Sequence, residues 1–157
     1  MHLSLTLPAR INVLGNPSDA LEGDHAVISA AVEIRAGAFV EEADQLTFEA
    51  LRREGHGWAV AERLIADPHN LSYDGPFDLI KGAINRLCHY TPGLRERLAG
   101  RPLKIATWSD VPQQSGMGGS SLFVLLTLAA LRAFYDLDPL RHNDYVLAEL
   151  TQRVECK

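Results

Sequence analysis

The segment Trp108–Ser121 (WSDVPQQSGMGGSS) has the residue types of an anion-binding loop. The glycines in 116–119 allow positive φ angles and let a ligand come close to the backbone. An apolar strand precedes the segment and an apolar helix follows it, so the loop ends at a helix N-terminus. There the first amides have no partner within the helix, and the dipole places about half a positive charge. Such a loop can bind phosphate without net charge, while Ser120 and Ser121 supply hydroxyls for a phosphate oxygen or a magnesium ion.

Other phosphate and nucleophile motifs do not fit this loop. A Walker loop needs a lysine before its Ser or Thr, and no lysine lies between Lys104 and Lys157. A dinucleotide-binding fingerprint needs glycine where Ser121 stands, and a nucleophile elbow needs glycine where Leu122 stands. Two interpretations remain: either the loop binds phosphate, or its glycines only permit tight packing and its serines cap the helix.

A second polar loop follows an apolar strand near the start of the chain, in the segment Pro8–Asp19 (PARINVLGNPSD). Arg10 could neutralise a transferring phosphoryl group, and Asp19 could bind sugar hydroxyls. Judged by composition alone, a surface ion pair for Arg10 and a turn or cap for Asp19 are the simpler explanations.

Length and composition describe one globular domain: 157 residues, of which 46% are hydrophobic and 22% charged. The net charge of −5 excludes a broad basic surface, so we expect neither nucleic acid nor a membrane as a partner. Cys88 and Cys156 form no zinc or disulfide framework, and the six histidines stand singly. The start MHLSLTLPAR lacks the features of a signal peptide, so we expect a cytoplasmic protein.

Strand patterns come first and helix patterns later, which predicts an α+β fold. The candidate strands are short alternating or apolar runs: His2–Leu7, Ile11–Leu14, Ile34–Glu41, Gln45–Leu51 and Pro102–Trp108. Residues 52–75 contain many turn formers and are expected to hold at most one short strand. Helices are predicted over Phe77–Cys88, over Ser120–Tyr135, which is apolar on all sides and therefore central, and from about residue 142.

Together the two loops resemble the first and second motifs of the GHMP small-molecule kinases. The matching stretches are P-A-R-I-N-V-L-G at 8–15 and P-x-x-x-G-M-G-G-S-S at 112–121. The sequence L-G-N-P-S-D at Leu14–Asp19 is similar to the corresponding motif of glucuronokinase-like and other sugar-1-kinases. The resemblance implies that residues 1–157 form the N-terminal, ATP-binding domain, with a ribosomal protein S5 domain 2-like fold.

The family also implies roles for individual residues. Arg10 matches the catalytic arginine near the transferred phosphate, and Asn16, Ser18 and Asp19 match the sugar-contacting loop. Mg²⁺ is expected on Ser120 and on Glu155, which ends the family-like stretch T-Q-R-V-E. The phosphates of ATP are expected on the glycine loop, namely Pro112, Ser115, Gly116, Met117, Gly118, Gly119, Ser120 and Ser121.

The resemblance therefore predicts an ATP-dependent kinase that phosphorylates a sugar hydroxyl, of the sugar or uronate 1-kinase type. The family's catalytic aspartate and its ferredoxin-like C-terminal domain are expected beyond Lys157, so this chain is expected to be the ATP-binding half and inactive alone. The alternative is a non-catalytic module with a kinase-like fold. Such a module would bind nucleotide or sugar, or would self-associate through the surface left by the missing second domain.

Overall fold

The computed structural model describes residues 2–15 and 26–155. Its elements are strands β1 (His2–Leu14), β2 (Ile28–Glu42), β3 (Thr47–Glu54), β4 (Gly57–Ile65) and β5 (Leu103–Ser109), and helices α1 (Asp78–Tyr90), α2 (Leu94–Gly100), α3 (Gly119–Phe134) and α4 (Asp144–Glu155). The five strands form one mixed sheet in the order β1-β2-β5-β3-β4, in which only β3 and β5 run parallel. This confirms the predicted α+β class.

Helix α3 is the centre of the core, as its unbroken apolar pattern predicts. It packs against β1, β2 and β5 on one side and against α1 and α4 on the other. Val124, Leu126 and Leu128 are completely buried. Within the described residues no helix has both the length and the apolar character needed to cross a bilayer.

The strands differ from the sequence prediction in extent. His2–Leu7 and Ile11–Leu14 are one continuous strand with an irregularity after Pro8, a position where proline is tolerated because β1 is an edge strand. Strand β2 begins earlier than expected because residues 28–32 pair with β1. Strand β4 is longer than expected, since a turn at Gly55 (φ +57°) lets it pair with β3 along its whole length.

Helix α2 was missed by the sequence prediction. It is seven residues long and buries only two side chains, Leu94 and Leu98. One i, i+4 pair is too short a pattern to separate a helix from a turn.

Strands β1 and β2 extend together beyond the rest of the sheet. Strand β5 pairs with β2 only from Ala36 to Glu42, whereas β1 continues along β2 as far as Ile28. Residues 9–14 and 28–32 therefore form a two-stranded extension, which we call the distal ribbon.

Candidate functional site

The glycine loop links the end of β5 to the start of α3, as predicted. Gly116 and Gly118 have φ angles of +72° and +75°, which confirms the predicted positive φ at two of the three loop glycines. Gly118 is the N-cap residue of α3 in the left-handed conformation, and no side chain among the described residues caps this terminus. Ser120 and Ser121 lie within the first turn, so they do not act as caps. The amides of that turn thus face a position that an anion can occupy.

Arg10 lies directly beside the loop, although the two are far apart in the sequence. Its backbone N–H donates to the carbonyl of Met117 at 3.4 Å. Its side-chain stem passes over Gly118, where an added Cβ would lie 3.8 Å from Arg10 Cγ. The side chain is exposed, and its Nη1 donates to Asn12 Oδ1 at 2.5 Å. The fold therefore places a cation beside the uncapped helix terminus.

Glu155, the last residue of α4, meets the first turn of α3. Its Oε2 accepts a hydrogen bond of 2.6 Å from the hydroxyl of Ser121. The structure thus brings Glu155 to Ser121 rather than to Ser120, which was the serine paired with it in the sequence analysis. Ser120 is exposed and lines the same cleft as Glu155.

A cleft of about 790 Å³ connects these groups. Arg10 and Glu155 line it together with the predicted residues Pro112, Ser115, Gly116, Met117, Gly118, Gly119 and Ser120. Ser121 faces a smaller groove between the loop and α4, which Arg10 and Thr151 also line. Asn16, Ser18 and Asp19, the predicted sugar-contacting residues, lie outside the described residues.

A mostly apolar recess of about 360 Å³ adjoins the cleft and was not foreseen from the sequence. It shares Leu79 and Phe123 with the cleft and adds Pro76 and Phe77 from the start of α1. Phe77 has a φ angle of +70°, which is strained for a bulky residue, and its ring contacts that of Phe48. No sequence motif predicts this recess, because the residues that line it come from separate helices and strands.

A buried lysine, Lys81, holds the segment that precedes Phe77 in place. The side chain of Lys81 hydrogen-bonds to Asp74 and also to Asp78, at 3.4 Å. The hydrogen bond to Asp74 raises the pKa of Lys81, and the same bond lowers the pKa of Asp74. Both groups therefore stay charged at neutral pH, and the pair fixes the segment that forms one wall of the recess.

Comparisons with known proteins identify a family and similar folds for this chain. The family model for the GHMP kinases N-terminal domain matches residues 78–157. No functionally curated protein has a matching sequence. Among solved structures, a D-glycero-D-manno-heptose 1-phosphate kinase from Bacteriodes thetaiotaomicron superposes with a TM-score of 0.75 at 25% identity, over 100% of this chain and 48% of that one.

Two further structures share the fold at lower identity. The Lactococcus lactis galactokinase in complex with galactose has a TM-score of 0.67 and 21% identity, over 98% of this chain and 37% of that one. The Streptococcus pneumoniae phosphomevalonate kinase in complex with phosphomevalonate and AMPPNP has a TM-score of 0.70 and 18% identity, over 97% and 42%. The chain thus spans less than half the length of these structures. By its family match it belongs to the GHMP kinases and represents their N-terminal domain.

Proposed function

We propose that this chain binds the triphosphate of ATP at the N-terminus of α3 and serves phosphoryl transfer to a hydroxyl group of a small molecule. The observation that carries the proposal is the uncapped start of α3, which opens into a cleft that Arg10 and Glu155 also line. We further propose a sugar hydroxyl, of the 1-kinase type, as the acceptor. Support for a sugar comes from the L-G-N-P-S-D wording and from the heptose 1-phosphate kinase and galactokinase among the similar structures.

The site residues divide the work that phosphoryl transfer requires, which is positioning and neutralisation of charge. Amides of the loop and of the first turn of α3 hold phosphate oxygens in a fixed place. The guanidinium of Arg10 neutralises charge at the edge of the same cleft. A protein with a net charge of −5 needs such local devices, since its overall field repels a triphosphate.

The oxygen donors at this site suit Mg²⁺, which binds through one or two carboxylates plus substrate phosphates. We propose that Glu155 and Ser120 hold the ion, with Ser121 orienting the Glu155 carboxylate. Bound Mg²⁺ neutralises part of the phosphate charge. Among the described residues that line the cleft, Glu155 carries the only carboxylate, so we assign to none of them the removal of the acceptor's proton.

The apolar recess beside the cleft is the proposed place for the nucleotide base. It opens next to the phosphate site, and Pro76, Phe77 and Leu79 give it the apolar and aromatic surface that a planar base prefers. Lys81 holds the segment before α1, so this wall is fixed before the ligand arrives.

Calorimetric titration of the purified chain with AMPPNP and Mg²⁺ tests the proposal. We expect binding with a dissociation constant on the order of 10⁻⁴ M, because this chain supplies half of the surface with which a full kinase binds its ligands. Chelating Mg²⁺ is expected to weaken it by about tenfold, since the phosphates then keep their full charge. Absence of binding at millimolar nucleotide contradicts the proposal.

Alanine variants of the two serines separate their roles in the same titration. Ser120→Ala is expected to remove most of the Mg²⁺-dependent gain in affinity. Ser121→Ala is expected to lower that gain only about threefold, because it releases the Glu155 carboxylate. Ser4→Ala, on the exposed face of β1, is the control and should change nothing. If instead Ser121→Ala alone abolishes the Mg²⁺ effect, the assignment of Ser120 as a ligand is wrong.

One observation favours the alternative of a self-associating module. The distal ribbon exposes large apolar side chains, with Val13, Leu14 and Ile28 at 62%, 63% and 55% exposure. Contiguous exposed apolar surface marks interaction sites. Strand β1 is also a sheet edge whose backbone groups can pair with another strand.

Sedimentation velocity at several concentrations tests self-association. We expect a monomer–dimer equilibrium that the double variant Val13→Lys with Ile28→Lys shifts to monomer, because charge is placed on the apolar surface. Leu140→Lys, at a leucine that is even more exposed and lies outside the ribbon, should leave the equilibrium unchanged. A monomer at every concentration rules out this alternative.

A further inference from the structure

A small polar network holds the Arg10 side chain. Asn12 Oδ1 accepts two hydrogen bonds, one from Arg10 Nη1 at 2.5 Å and one from Ser29 Oγ at 2.7 Å. Arg10 and Asn12 are two residues apart on β1 and so lie on the same face of the strand. Ser29 is the cross-strand partner of Asn12 in β2. The network therefore follows from strand register within the distal ribbon.

Asn12 can face these two groups in only one way. A guanidinium only donates hydrogen bonds, so the Asn12 atom in contact with it must be the carbonyl oxygen. That oxygen has two lone pairs, and Arg10 and Ser29 use both. The hydroxyl of Ser29 thereby fixes the carboxamide, and the carboxamide fixes the guanidinium.

Among residues 2–15 and 26–155, this network provides the side-chain hydrogen bond to the guanidinium of Arg10, whose stem passes over Gly118. Arg10 is exposed, and β5 does not reach this part of β2 to pack against it. An arginine side chain loses conformational entropy when it is immobilised. A side chain that is already held in place loses less of it when phosphate binds.

The chemical identity of residue 12 matters as much as its position. A carboxylate here would hold Arg10 equally well but would form an ion pair with it and cancel its charge. The neutral amide orients the guanidinium and leaves its full charge for a phosphate. An aspartate, which has nearly the same shape, would therefore be a poor substitute.

We propose that Asn12, fixed by Ser29, is a positioning residue that presents Arg10 to the nucleotide phosphates without neutralising it. This inference rests on the proposed nucleotide site. It gives a role to two residues that do not line the main cleft: Asn12, to which the motif analysis assigned none, and Ser29.

The test is a set of titrations with two probes, Mg²⁺-AMPPNP and inorganic tripolyphosphate. Asn12→Asp is expected to weaken both by about tenfold or more, Asn12→Ala by about fivefold and Ser29→Ala by about threefold, the ordering expected when charge cancellation exceeds loss of orientation. Asn70→Asp adds the same charge at an exposed turn and is the control, with an expected change below about twofold.

A double-mutant cycle with Arg10→Ala distinguishes positioning from a merely structural role. In the Arg10→Ala background, Asn12→Asp is expected to change affinity by less than about twofold, because there is no guanidinium left to orient or neutralise. Circular dichroism and thermal melting verify that each variant is folded, and Ser29→Ala tests the network should Asn12→Asp not fold.

The outcomes separate the two proposals. If the wild-type chain binds neither probe, the proposed nucleotide site and this inference are both contradicted. If wild type binds and Arg10→Ala weakens binding, but the Asn12 and Ser29 variants match wild type, only the positioning role is wrong. Equal losses from Asn12→Asp with and without Arg10 also overturn it.

Discussion

Gly118→Val is expected to abolish detectable nucleotide binding, a loss of at least about a hundredfold in affinity. Gly118 has a φ angle of +75° at the N-cap of α3. A left-handed residue with a Cβ costs about 1–2 kcal/mol, and a β-branched one is a severe outlier. The backbone is therefore expected to leave this conformation, and the amides that follow it then point elsewhere.

The expected loss comes from the backbone rather than from steric blocking. An added Cβ at Gly118 would meet Arg10 Cγ at 3.8 Å, an ordinary contact distance. Gly116→Ala provides an independent check, since its φ angle is +72° and no described residue lies within 4 Å of an added Cβ. We expect it to weaken binding by about tenfold, because alanine tolerates this conformation better than valine.

Calorimetry with Mg²⁺-AMPPNP measures these variants against a matched control. Gly57→Val makes the same substitution in β4, where the backbone is extended and an added Cβ meets only Glu54 O, at 4.0 Å. It is expected to bind nucleotide like wild type, since valine suits a strand. Affinity of Gly118→Val within about threefold of wild type would mean that this helix terminus is not the phosphate site.

The glycine loop and α3 could be predicted because their signals are local and strong. Glycines with a structural need for positive φ leave a clear pattern, and so does a helix with no polar face. The confirmed junction of β5, loop and α3 follows from those two signals alone. The contact between the loop and Arg10 could not be predicted from local signals. Before the fold showed the two segments side by side, only the family resemblance connected them.

The missed features of the candidate site depend on long-range geometry, unlike helix α2, whose local pattern is too short. The pairing of Asn12 with Ser29 depends on strand register, which an exposed ribbon with few core-facing residues specifies only weakly in its sequence. The recess at Phe77 is lined by residues from β3, β4, β5, α1 and α3 together. The contact between Glu155 and Ser121 depends on how α4 packs against α3, since neighbouring serines at the start of a helix point in different directions.

Leu128→Ala is expected to lower the free energy of unfolding by about 2–5 kcal/mol, the range for a completely buried leucine whose removal leaves a cavity. Leu128 is 0% exposed in the middle of α3. Leu140→Ala is the matched control, because that leucine is 85% exposed and should cost less than about 0.5 kcal/mol. Urea unfolding followed by circular dichroism measures both.

Leu128→Met keeps the volume and should cost less than about 1.5 kcal/mol, so it reports on packing even if the alanine variant is largely unfolded. Because α3 forms the core and also the proposed phosphate site, ligand binding and stability are expected to be linked. Mg²⁺-AMPPNP at a hundred times its dissociation constant should restore about 2.7 kcal/mol to Leu128→Ala. A cost below about 1 kcal/mol for Leu128→Ala would contradict the central place of α3, and a failure of nucleotide to stabilise would contradict binding to the folded chain.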